Sequence, residues 1–345
     1  MLTNLQGLRA LAAIGVVVFH VGLLPGTALP CRVGAAGVDL FFVLSGFIIA
    51  HSASRSAHDF LKHRLIRVLP AYWIATLIAG LFTLRAMDVP GATAWIGQSL
   101  LYLPGPGGRP VLIFVAWTLV YELAFYLLFW LALRFGAGRA CWLALGALVA
   151  LAFLHLPGTS GPWPLLLEFA MGLIVFLLVG RTAATGRVSG AVGLAAAGLG
   201  LVLLVVLPRL TGYDPDDYQG IGRVFTWGVP AAIVLAGLVI AEHAGWALRS
   251  RPVLLLGAAS YSLYLLHPIA LGQLLQLPAR PAPVSWALCA AAVVAIAMLA
   301  VAFHLLVEAP IVRGLRALLR DRLPAGPEAQ ASGHVPRSAT GAGRS

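Results

Sequence analysis

The sequence predicts an all-α, polytopic membrane protein of about ten transmembrane helices with both termini in the cytoplasm. Three observations carry that prediction. Of the 345 residues, 60% are apolar and only 10% are Asp, Glu, Lys or Arg, where soluble domains run near 45–50% and about 25%. Mean hydropathy over the whole chain is +0.93. The basic residues sit between the apolar stretches and sort to one side of them.

A helix crosses the hydrocarbon core with about 20 largely apolar residues. Ten stretches meet that need, at approximately 8–24, 34–52, 68–87, 112–134, 139–156, 163–181, 188–208, 223–241, 253–276 and 284–307. Pro and Gly clusters such as "LLPGTALP", "LPGPGGRP" and "HLPGTSGPWP" punctuate them. The segment "TAWIGQSLLYL" (93–103) is too short to cross and suits an interfacial or re-entrant element. The first stretch has the look of a signal peptide. No small-residue cleavage site follows around Thr27 to Arg32, so a retained helix is expected.

With both termini inside, only Arg32, Arg85, Arg109, Arg209, Arg223 and Arg280 of the 23 Lys and Arg fall outside, as the positive-inside rule requires. The net charge of +11 is then a matter of membrane orientation and not of nucleic-acid binding. The acidic "YDPDDY" (213–218) faces outward. Residues 323–345, rich in Pro, Gly, Ala and Ser, are expected to form a disordered cytoplasmic tail after a single transmembrane domain over 1–322. Cys31, Cys141 and Cys289 lack any ligand spacing, and no metal site or disulfide framework is expected.

Polar residues inside the spans carry the chemistry. In "LRALAAIGVVVFH" (8–20), Arg9 and His20 are eleven residues apart, which is three helical turns plus roughly 20°. They share one face, roughly 16 Å apart along the axis. Arg9 falls at the cytoplasmic mouth and His20 in the outer half of the membrane. The spacing suits a long ligand with an anionic end at the mouth and a reactive end deep inside. "GVDLFFVLSGFII" (37–49) returns through the membrane after a short loop, bringing Asp39 to a depth similar to that of His20. A carboxylate in lipid is costly and usually faces the bundle interior and pairs. A His–Asp pair fits a general base with its orienting carboxylate.

"HRLIRVLPAYW" (63–73) sets Arg64 and Arg67 at i, i+3 on the cytoplasmic side, where guanidinium forks suit phosphates; plain positive-inside anchoring is the alternative. Pro70 permits a bend into the third span. "WTLVYELAFYLLFW" (117–130) places Glu122 near mid-depth, with Tyr126 on its face and Trp117 above. "SYSLYLLHP" (260–268) forms a polar stripe of Ser260, Tyr264 and His267, and Pro268 favours a cavity-lining bend there. Ser45, Trp117, Tyr126, Tyr264 and His267 are the expected cavity-lining set. Glu308 in "VEAPIVR" (307–313) is expected to pair with an arginine of the loop between spans two and three, or with Arg9. Glu168 and His304 are assigned only interhelical hydrogen bonding.

Five stretches in this order resemble the membrane-bound acyltransferase 3 family: "LRALAAIGVVVFH", "GVDLFFVLSGFII", "HRLIRVLPAYW", "WTLVYELAFY", and "SYSLYLLH" followed by "VEAP". The likeness runs from about residue 5 to 315. It implies an acyl-coenzyme A co-substrate taken from the cytoplasm, with no permanently bound cofactor, and a sugar or lipid-linked glycan hydroxyl as acceptor. It also implies a bacterial plasma (inner) membrane. By that resemblance His20 and Arg9 match the family's essential histidine and arginine. Arg64 and Arg67 match its basic pair, and Glu122 its fourth-span glutamate. The fourth-span motif reads "WTLVYE" where "WSLSVE" is commoner, which bears on acceptor preference.

Residues and resemblance together define an expectation. Arg9, Arg64 and Arg67 hold the coenzyme phosphates, and His20 removes the acceptor hydroxyl proton with Asp39 or Glu122 orienting its ring. In a variant of this route, His20 attacks first and forms a transient acyl-imidazole. The rival class is a proton-coupled carrier using the same buried His, Asp and Glu.

Overall fold

The computed structural model describes residues 2–24, 27, 31–54, 59–154, 163–180, 188–213, 220–275 and 286–321. Most of "YDPDDY", the tail beyond residue 321 and loop residues such as Arg55, Arg181, Arg187 and Arg280 lie outside the described residues. So does any test of those expectations.

The described chain is helical. In order it forms α1 (Thr3–Gly22), α2 (Gly37–Ala53), α3 (Phe60–Ala86), α4 (Val89–Leu100), α5 (Trp117–Leu133), α6 (Ala137–Phe153) and α7 (Leu166–Val175). It continues with α8 (Gly190–Thr211), α9 (Val229–His243), α10 (Arg251–Ala258), α11 (Ser260–Leu275), α12 (Trp286–Phe303) and α13 (Ala309–Asp321). Single π turns at Phe176–Gly180, Val224–Gly228 and His304–Glu308 extend α7, precede α9 and join α12 to α13.

Each of the ten apolar stretches is mostly helical over its described residues. Among the described residues seven helices are long and apolar enough to cross a bilayer, and α10 with α11 makes an eighth if that bent pair is one span. α6, at 17 residues, is about 25 Å long, a little under the roughly 30 Å hydrocarbon thickness. Large apolar side chains such as Leu77, Leu81, Leu127, Trp142, Val202 and Leu306 point outward from these helices. In lipid such an exterior needs no partner, and the molecule is a multi-pass membrane protein.

Two local features depart from a plain reading of the spans. The stretch 253–276 is not one straight helix, because α10 and α11 meet at 68° around Ala259. The bend thus precedes the polar stripe, while α11 runs on through Pro268. The segment expected to be interfacial or re-entrant is α4, which folds back along α3. The Tyr72 hydroxyl donates to the Ser99 carbonyl (2.5 Å), Trp73 Nε1 donates to Leu100 O (3.1 Å), and the Tyr72 and Tyr102 rings stack at 4.2 Å.

Packing without a hydrophobic gradient between helices favours small residues at close crossings. α2 and α7 meet through Gly46 and Gly172: a Cβ at Gly172 would lie 2.0 Å from the Val43 carbonyl oxygen, and one at Gly46 2.2 Å from that of Phe169. The start of α1 is fixed differently. Its unsatisfied amides need acceptors, and Glu242 at the end of α9 takes the amides of Thr3 and Asn4 (2.9 Å for Asn4). The Asn4 side chain bonds the Leu238 and Trp246 carbonyls and accepts from the Leu248 amide. α1 is thereby locked in register, and with it Arg9 and His20.

Candidate active site

α1, α2, α3, α5 and α11 line a cavity that opens to the outside, about 830 Å³ with the space of its open mouth included. Arg9 from α1, Arg64 and Arg67 from α3, and Glu122 and Tyr126 from α5 line one part of it. Ser45 on α2, Thr118 on α5, and Ser260, Tyr261 and Tyr264 on α11 supply the remaining polar groups, among apolar Val38, Phe41 and Phe42. Of the five residues expected to line a cavity, Ser45, Tyr126 and Tyr264 do so.

Each cation is held. Arg9 Nε donates to Ser260 Oγ at 3.1 Å, and Arg64 donates to Ser52 Oγ. Arg67 Nη1 pairs with Glu308 Oε1 at 3.2 Å. Glu308 is the buried anchor behind it: its other oxygen accepts from Ser262 Oγ at 2.6 Å and faces His304 Nδ1 at 2.9 Å. The expected ion pair of Glu308 therefore forms with an arginine of "HRLIR", not with Arg9, and His304 joins the same network. Glu122 accepts from the Tyr126 hydroxyl one helical turn on.

The polar stripe of α11 connects this cavity to His20. Ser260 touches Arg9. One turn further, the Tyr264 hydroxyl donates to the Val115 carbonyl (2.9 Å) and lies 2.8 Å from Thr118 Oγ1. Tyr264 has its ring 5.8 Å from that of His267, which in turn lies 4.9 Å from the ring of His20. His20 and His267 are thus beyond Tyr264 and not on the cavity wall. For His267 this corrects the expected lining role. Trp117 is also off the wall; it packs against Phe42 and Tyr121.

The expected orientation of His20 needs a larger correction. Neither Asp39 nor Glu122 touches its ring. Nδ1 of His20 is 2.9 Å from the carbonyl oxygen of Val16, four residues back on its own helix. A carbonyl only accepts, so Nδ1 carries the proton and Nε2 keeps its lone pair. Backbone, not carboxylate, sets the tautomer. Phe19 and Phe114 flank the ring, at 4.9 and 5.4 Å between centroids.

Asp39 faces the other side of α2. Its two oxygens receive Nε and Nη2 of Arg223 at 2.9 and 2.7 Å, a bidentate pair, and the same Nη2 also donates to Ala35 O at 2.9 Å. Asp39 and Glu168 are fully buried and Arg223 is 2% exposed. Glu168 interacts with both of them. Arg223, read from the sequence as an outer-loop charge, is a buried counter-ion at the entry to α9. Its signal was weak: one arginine directly after Gly222, at the edge of an apolar run. Among the described residues no group of His, Cys, Asp and Glu could hold a metal ion.

A family profile described as an acyltransferase domain matches residues 2–303. The chain is similar to the acyltransferase MdmB of Streptomyces mycarofaciens, 31% identical over 90% of this chain and 92% of that protein. It is also similar to the exopolysaccharide production protein ExoZ of Rhizobium meliloti, 29% identical over 83% of this chain and 92% of that protein. The O-acetyltransferase OatA of Staphylococcus aureus is 26% identical over 77% of this chain but only 50% of its own length. No solved structure matches.

Proposed function

Because the chain belongs to the acyltransferase 3 family, by an acyltransferase domain over residues 2–303, we propose that it O-acylates glycans at the bacterial plasma membrane. The acyl group, acetyl by default, comes from acyl-coenzyme A. The acceptor is a hydroxyl of a cell-surface or exopolysaccharide sugar or another glycoside. The names of ExoZ and OatA, one tied to exopolysaccharide production and one to O-acetyl transfer, support this choice over a carrier.

One observation carries the donor half of the reading. Three guanidinium groups, Arg9, Arg64 and Arg67, line one cavity with Tyr264, whose ring lies 5.8 Å from that of His267, itself 4.9 Å from that of His20. Guanidinium forks match phosphate oxygens, and a coenzyme A molecule has phosphates at one end and its thioester at the tip of a long arm. With the arginines at the cytoplasmic face, the arm extends along the α11 stripe past Tyr264. Movement of the Tyr264 hydroxyl from Val115 opens that last step.

His20 then acts as general base. Its Nε2 lone pair takes the acceptor hydroxyl proton as the oxygen attacks the thioester carbonyl carbon. The carbon–sulfur bond breaks, and the coenzyme A thiolate takes the proton back from Nε2. General base assistance of this kind contributes about 10²–10⁴ in rate. The test is release of free coenzyme A thiol from acetyl-coenzyme A by the purified full chain in lipid discs with a glycan acceptor. Acceptor-dependent thiol release is expected. Its absence, with no binding of acetyl-coenzyme A, overturns the reading in favour of a carrier.

A further inference from the structure

His267 has the features of a working group but takes no part in the mechanism as drawn. It is fully buried, in a helix otherwise rich in leucine. Its Nδ1 lies 3.1 Å from the carbonyl oxygen of Leu263, the residue four back. Pro268, having no N–H, also leaves the Tyr264 carbonyl without its helical donor, and that oxygen faces the ring as well. Nδ1 must therefore carry the proton. Nε2 is a lone-pair acceptor, enclosed, and without any hydrogen-bond partner. Leaving such an atom buried and unpaired is destabilising, so a purely structural histidine here is a poor choice beside leucine or phenylalanine.

The imidazole of His20 is in ring contact with that of His267. The two rings lie 4.9 Å apart between centroids. Both are pinned by a backbone carbonyl one turn back, and both are held as the same tautomer with Nε2 free. Two neutral rings of this kind offer each other only lone pairs. Once one gains a proton at Nε2, the other becomes its acceptor. The remaining neighbours do not compete. Tyr264 on α11 is the other titratable side chain in ring contact, and its hydroxyl is taken by Val115 and Thr118. Phe19 and Phe114 are apolar. Among the described residues no carboxylate reaches either ring.

We propose that His267 is the positioning partner of His20, its enclosed Nε2 accepting the hydrogen bond of the His20 imidazolium while that ring holds the transferred proton. This rests on the acyl-transfer reading above. The proton leaves the acceptor hydroxyl for His20 Nε2 and is shared with His267 Nε2 while the new carbon–oxygen bond forms. It returns through His20 to the departing thiolate. No oxidant, metal or further reactant enters. The arrangement supplies within the protein the role that sequence reasoning gave to Asp39.

The experiment compares two replacements in the full chain in lipid discs, with kcat and the KM for acetyl-coenzyme A measured separately. His267→Gln keeps an acceptor oxygen near the Nε2 position and is expected to hold kcat within about tenfold of the parent. His267→Phe fills the apolar site but accepts nothing, and is expected to lose about 100-fold or more in kcat, the scale of one lost preorganised hydrogen bond, with KM little changed. Glutamine retaining much more activity than phenylalanine supports the proposal, because packing alone would rank them in reverse. Equal losses, or a phenylalanine variant with near-parental kcat, overturn it. A parent chain that releases no thiol removes the acyl-transfer reading itself. The pairing is then judged by a chain whose only cysteines are His20→Cys and His267→Cys: failure of a short bifunctional thiol reagent to link them in the folded protein overturns the partnership, and linkage supports it.

Discussion

Two clusters of charge lie inside this membrane protein, and they are built in opposite ways. Around α2, α7 and α9, Arg223 grips Asp39 with both arms while Glu168 stands alongside, and nothing in that cluster is more than 3% exposed. Around α1, α3 and α5, Arg9, Arg64 and Arg67 meet Glu122 and Glu308, so cations outnumber carboxylates, and the group opens on a cavity. In the first, Arg223 and Asp39 satisfy each other, the two Glu168 oxygens stay buried without a hydrogen-bond partner, and none of the three lines the cavity. The second has donor capacity left over and room to use it. A buried charge therefore points to a ligand site only when it also faces a cavity; paired across helices and away from one, it is a brace.

The largest effect should come from breaking the first cluster. Arg223→Ala leaves Asp39 ionised without its partner, and breaking a buried pair costs about 3–5 kcal/mol, a large share of ordinary folding stability. Loss of monodisperse protein in size-exclusion chromatography is expected, with partial recovery in Arg223→Ala/Asp39→Ala. A single variant as stable as the parent would erase the contrast between the clusters. Arg64→Ala should do less and do something different. The chain stays folded, and the KM for acetyl-coenzyme A rises about tenfold, the equivalent of about 1.4 kcal/mol of lost charge-assisted bonding. An unchanged KM would mean that Arg64 anchors the membrane face and nothing more.

The two clusters also divide what the sequence could reveal. Arg9, Arg64, Arg67 and Glu122 sit in or beside long apolar runs, and a charge there has to face the bundle interior. Helical spacing then aligns them without knowledge of the fold. Asp39 obeys the same logic, yet its partner is 184 residues away, at the head of a different helix. Position along a helix was legible and direction around it was not. Matching depth paired Asp39 with His20, although Asp39 turns to Arg223 and His20 to His267. The clue missed at His20 was local: an imidazole within a helix can satisfy itself on the carbonyl four residues earlier, as His20, His243 and His267 all do. The bend at Ala259 had no proline to announce it. Just before it, α10 packs closely on α1, where a Cβ at Gly257 would lie 2.1 Å from the Gln6 carbonyl oxygen.

The account depends most on His20 as the group that moves the proton. Acetyl-coenzyme A binding and acceptor-dependent thiol release should be measured side by side for the parent chain and for His20→Ala in lipid discs. Unaltered donor binding at the arginine cavity with transfer reduced by about 10² or more is the expected result. A His20→Ala chain that transfers the acyl group at the parental rate would contradict the account.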